Sequence, residues 1–91
     1  MLTFPKTHVF ILPHAQEYQR FYHVSLDEIL LTLNEPDTHE GVSQDRYTSE
    51  KQFANRRVYI YYYLTLPLQG ERDEVYAVVD FVSVTEEGEK N

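Results

Sequence analysis

The 91-residue chain contains no cysteine. That absence removes disulfides, thiolate nucleophiles, cysteine-ligated zinc and iron–sulfur clusters together. Small secreted domains commonly lean on such cross-links, so the expected location is cytoplasmic. No apolar run approaches the roughly 20 residues of a membrane helix. The opening MLTFPKTHVFILPH lacks a signal-peptide layout, so no membrane partner is expected. Glycine is confined to positions 41, 70 and 88, too sparse for a phosphate-cradling loop. No serine has the neighbours of a nucleophile elbow. Basic residues are also scarce: eight Lys and Arg stand against fifteen Asp and Glu, a net charge of −7. A nucleic-acid binder draws much of its affinity from cations that displace phosphate counterions. An acidic chain repels a polyanion at long range. The one local cationic cluster, Arg46, Lys51, Arg56 and Arg57, reads first as a solvated hairpin.

What is present suits one small folded domain over residues 1–84, with a charged, frayed tail at 85–91. The 42% apolar share is too high for a disordered chain. Residues 8–12 are β-branched and apolar and predict a short strand stopped by Pro13. Over 14–22, Ala15, Tyr18 and Phe21 or Tyr22 share one face of a helix. Ser25 and Glu28 have the spacing of a capping box, with Val24 placed to staple onto Ile29. Leu26, Ile29, Leu30 and Leu33 then form the apolar stripe of a second helix, which Pro36 ends near Asn34. Residues 37–43 read as a polar loop, 46–53 as a poorly alternating strand, and Ala54-Asn55 as a turn.

Residues 57–66 form the clearest strand, with Val58, Ile60, Tyr62, Leu64 and Leu66 on one face and Tyr59, Tyr61, Tyr63 and Thr65 on the other. A loop over 67–74 leads to a strand at 75–84. Both faces of that last strand are apolar, which predicts cover on both sides. The expected class is α+β, with two N-terminal helices packed on an antiparallel sheet of three or four strands.

Several residues carry chemical potential. His14 and Glu17 lie one helical turn apart, and Asp37, His39 and Glu40 cluster in the predicted loop. Neither group matches a known ligand spacing, so no metal and no cofactor are expected. Tyr59, Tyr61 and Tyr63 offer broad apolar area with polar tips, fit for an interface, for base stacking or for lining the core. Asp80 interrupts an apolar strand, so it needs a partner such as Arg57, a tyrosine hydroxyl or a backbone amide. Its chemical reading is a catalytic carboxylate.

The segment HAQEYQRFYHVSLDEILLTLNEPD resembles the opening of a family of small bacterial and phage domains of unknown function, distantly similar to the BrnT and RelE ribonuclease toxins. His14-Ala15, Val24-Ser25 and Pro36-Asp37 carry the resemblance. It implies a toxin-like fold and RNA as substrate. His14 would be the general base or acid, and Arg56 or Arg57 would stabilise phosphorane charge, with Asp80 beside them. The arginines of the motif are replaced by Tyr18 and Tyr22, and its glycine by His23. The preferred expectation is therefore a non-catalytic module that binds a protein partner or itself through Tyr59, Tyr61 and Tyr63. The alternative is a toxin-like endoribonuclease.

Overall fold

Local signals start both helices in the computed structural model, which describes residues 3–65 and 75–86. A single 3-10 turn, Lys6–His8, leads into β1 (Val9–Ile11). Pro13 ends β1 and opens α1 (Pro13–Phe21), where its fixed φ and missing N–H cost nothing. Ser25 caps α2 (Leu26–Asn34). The Glu28 amide donates to Ser25 Oγ at 3.1 Å, and the Ser25 amide donates to Glu28 Oε1 at 2.9 Å. Four further strands follow: β2 (Thr38–Ser43), β3 (Arg46–Phe53), β4 (Arg56–Thr65) and β5 (Tyr76–Glu86). The predicted loop at 67–74, Leu66 and the tail beyond Glu86 lie outside the described residues. Among the described residues, no helix is long and apolar enough to cross a membrane.

The class is α+β as expected, but the sheet is larger and mixed. Five strands run in the order β1-β5-β4-β3-β2. β1 pairs parallel with β5, and the remaining pairs are antiparallel. The two helices stand between β1 and β2 rather than ahead of the sheet. The extra strand is the stretch read as a polar loop. β2 is exposed throughout and sits at an edge, so backbone pairing with β3 holds it and no apolar alternation is required.

β5 departs from simple alternation. The register shifts between Tyr61, opposite Phe81, and Tyr62, opposite Val79, which leaves Asp80 as an extra residue. Such a bulge flips the phase of everything after it. Ala77, Val79 and Val82 therefore all join the core, while Tyr76, Val78 and Phe81 share the opposite side. The bulge brings Val82 and Val84 to the core side, and the other side stays apolar as well, with Val78 buried and Phe81 under Tyr18.

The core lies between the helices and one face of the sheet. Ile29 and Leu33 from α2, with Ala15 and Val24, meet Val58, Ile60 and Tyr62 of β4 and Val79 and Val82 of β5. Leu26 and Leu30 flank this contact half-buried. Tyr22 packs against the core, whereas Phe21 is 75% exposed.

The connection between the helices is tied down by one side chain. Arg56 Nη1 donates to the Tyr22 carbonyl at 2.8 Å, and Nη2 donates to the His23 carbonyl at 2.9 Å. Nη2 also reaches both Glu28 carboxylate oxygens, at 2.8 and 2.9 Å. The two carbonyls close α1, and the carboxylate belongs to the cap of α2. His23 takes φ 57°, the left-handed region that favours glycine. Arg56 is thus a structural clamp, not a free phosphate ligand.

Partial burial pushes the Glu28 carboxyl up, but the Ser25 amide and the Arg56 guanidinium outweigh it and hold the group below its ordinary value. The folded chain therefore binds this proton less readily than the unfolded chain, whose value is about 4.3. The resulting stability is complete above that value and is lost as pH falls through the folded pKa. We predict that Arg56→Ala lowers unfolding free energy by about 3 kcal/mol, because it strands a partly buried carboxylate and two carbonyls. Glu28→Gln should flatten the loss of stability below about pH 4.3. Urea unfolding followed by circular dichroism across pH measures both, and a wild-type acid slope in Glu28→Gln would refute the assignment.

Candidate functional site on the open sheet face

Alternation along β4 sends Tyr59, Tyr61 and Tyr63 to the face away from the helices. The register surrounds them with apolar neighbours: Tyr63 lies opposite Val78, and Tyr61 opposite Phe81. Phe10 of β1 pairs with Val78 and extends the patch. Its ring stacks on Tyr76 at 5.3 Å and 8°. Phe81 takes Tyr59 on one side at 6.2 Å and Tyr18 of α1 on the other at 4.8 Å, both edge to face. Phe10 is 49% exposed. This is a continuous, partly exposed aromatic surface, which α1 meets at Phe81 through Tyr18.

Charged groups stand among these rings. The guanidinium carbon of Arg46 sits 5.0 Å from the Tyr63 centroid, and Nη1 donates to the Tyr61 hydroxyl at 3.4 Å. The Tyr61 hydroxyl and, more weakly, the charge of Asp80 hold Arg46 more firmly protonated than a free arginine. The bulge presents Asp80 to the first turn of α1, where its Oδ1 meets His14 Nε2. His14 is 58% exposed and Asp80 30% exposed, so the pair is open to solvent. A carboxylate on one imidazole nitrogen fixes the ring's orientation, an arrangement used in general acid–base chemistry.

Asp80 thus has a partner, and it is His14 rather than Arg57. Arg57 lies elsewhere on the sheet, with Nε on Glu50 Oε1 at 2.6 Å and Nη2 on Thr38 Oγ1 at 3.1 Å. His14, Arg57 and Asp80 do not converge. The cationic cluster does lie on a hairpin, β3–β4, with Arg46 exposed, but Lys51, Arg56 and Arg57 are partly buried in internal contacts rather than simply solvated. Arg56 clamps the helix connection, and Lys51 Nζ donates to the Glu35 carbonyl at 2.8 Å, next to the end of α2. Arg46 is the cation that remains beside the tyrosines. The Asp37, His39 and Glu40 cluster is pulled apart by its strand, since His39 and Glu40 fall on opposite faces of β2.

One polar group escapes sequence reasoning. Tyr62 belongs to the core face, yet its hydroxyl accepts from Ser49 Oγ at 3.4 Å and lies 3.1 Å from His39 Nε2. With Ser49 donating, the phenol proton is free to serve His39. The one available hint was that a buried tyrosine seeks a partner for its hydroxyl. Comparison with known proteins finds no matching family model, curated protein or solved structure.

Burial pushes the Tyr62 phenol above its ordinary value. A group whose proton is held more tightly in the folded state adds stability that is complete below the unfolded value of about 10 and lost as pH rises through the folded one. Absorbance titration should therefore show one of the eight tyrosines ionising late, and Tyr62→Phe should remove that phase. The same substitution should cost about 1–2 kcal/mol in chemical denaturation, because it leaves the buried Ser49 hydroxyl without its acceptor. An unchanged alkaline titration would refute the placement.

Proposed function

We propose that this chain is a non-catalytic interaction module whose open sheet face pairs with a second copy of itself. The observation that carries the reading is the continuous, partly exposed aromatic surface of Phe10, Tyr59, Tyr61, Tyr63 and Phe81 on the sheet face away from the core. Interfaces are enriched in such rings at their centres. The choice of a second copy over an oppositely charged partner rests on local charge balance. Arg57 is matched by Glu50, Asp80 by His14, and Arg46 by the Tyr61 hydroxyl and the Tyr63 ring. A two-fold contact sets each surface against itself, so it needs a centre free of one-signed charge.

Sedimentation should give a mass rising from one chain to two across the micromolar range. Tyr61→Ala or Tyr63→Ala should move that transition to higher concentration. A chain that stays monomeric at high micromolar concentration would sink the proposal.

The contact between His14 and Asp80 favours a second reading, a toxin-like endoribonuclease. In it His14 takes the proton of the 2′-hydroxyl as that oxygen bonds to phosphorus, the bond to the 5′-oxygen breaks and the departing oxygen takes a proton from solvent, leaving a 2′,3′-cyclic phosphate; Asp80 orients His14, and Arg46 stabilises phosphate charge in the role sequence assigned to Arg56 or Arg57. The left-handed backbone of His23, where the resembled motif has glycine, supports a helix connection of the same type. On this reading purified protein cleaves messenger RNA, and His14→Ala abolishes the cleavage with the fold unchanged. Intact free and ribosome-bound RNA after incubation would exclude it.

A further inference from the structure

A second surface lies on the other side of the sheet. α2 has nine residues and spans about 14 Å, while the ten residues of β4 span about 33 Å. Pro36 stops the helix, so the helical layer ends before the strands beneath it do. The uncovered part of the inner face is a cavity of about 710 Å³. That is within the range of small-molecule sites, roughly 300–1,000 Å³.

The walls are apolar and fixed. Leu33 and Leu64 face it, with the rings of Phe4, Tyr47 and Tyr62. Phe4 meets Tyr62 edge to face at 6.3 Å, and His39 stacks on Tyr47 at 5.4 Å. Asn34 holds the Phe4 backbone from both sides, accepting from its amide at 2.6 Å and donating to its carbonyl at 2.9 Å. The Ser49–Tyr62–His39 hydrogen bonds brace the polar side. A site whose walls are already pinned loses little conformational freedom when it fills.

Among the described residues that line the cavity, the charged ones are Glu35 and Asp37, with Lys51 and Arg57 reaching them from outside the lining. Asp37 is partly answered by the Gln52 amide at 2.7 Å and by Arg57 at 3.9 Å. Glu35 offers its carbonyl to Lys51, and its carboxylate makes no hydrogen bond or ion pair among the described residues. Aromatic faces also attract cations. We propose that this cavity is a binding site for a small planar aromatic cation, with its ring resting on the wall formed by Tyr47, Leu33 and Leu64 and the positive group toward Glu35. It lies on the face opposite the tyrosine surface and does not depend on the self-association reading.

Benzamidine, benzamide and benzoate share one ring and differ in charge, so they test both parts of the proposal. In a two-dimensional amide NMR titration of the full chain, benzamidine should move the resonances of Leu33, His39, Tyr62 and Leu64. Benzamide should bind more weakly, and benzoate at least about tenfold more weakly than benzamidine. Glu35→Gln, an exposed substitution, should weaken benzamidine severalfold and leave benzamide unchanged. Leu64→Trp should fill the space and abolish both. Tyr61→Ala should disturb the dimer and leave benzamidine binding intact. No shift through millimolar benzamidine, equal binding of benzoate, or shifts confined to Phe10 and Tyr61 would each overturn the proposal.

Discussion

The helix layer depends on the guanidinium of Arg56. It sits at the start of β4 and collects two carbonyls from the end of α1 and the carboxylate that caps α2. Two nine-residue helices are too short to persist alone, so their position must come from tertiary contacts. Burial of Ile29, Leu33 and Ala15 supplies most of the driving force, but apolar contact is not directional. The charged hydrogen bonds fix where the turn sits over the sheet, since a bond to an ionised group fails quickly when its geometry slips. The left-handed His23 is held inside this arrangement, in line with the rule that backbone strain persists only where the surroundings over-determine it.

The bulge at Asp80 is the second constraint. One extra residue changes the phase of β5, so Val79 and Val82 both reach the core and Phe81 turns outward to the tyrosines. The same insertion carries Asp80 to His14. The long aromatic surface and the solvent-facing carboxylate–imidazole pair thus have one origin.

These two features mark the border of what the sequence reveals. The capping box, the stripe of α2 and the faces of β4 were legible because each is a local pattern with its own physical period. β2 was not, because an exposed edge strand is held by backbone pairing, on which side-chain polarity has no bearing. The bulge was not legible either, since alternation assumes one residue per step. The site was read in part. The tyrosine stripe emerged from spacing, and the need of Asp80 for a partner from the cost of burying charge. Which partner it takes, and which arginine is spent on structure, depend on contacts as distant in sequence as that of His14 with Asp80, 66 positions apart.

Both candidate surfaces are delivered by one strand. Tyr59, Tyr61 and Tyr63 stand on one side of β4, and Tyr62 and Leu64 on the other. A slip of one residue against β3 or β5 would send the tyrosines into the core and Val58 and Ile60 into water. Each strand interior is therefore protected twice: by the apolar residues that must stay buried and by the bulge that accepts only one alignment. That protection is what lets so short a chain carry an aromatic face and a cavity back to back. Neither surface can drift without moving the core, so each is as firmly positioned as the buried cluster that holds Ile29 and Ile60.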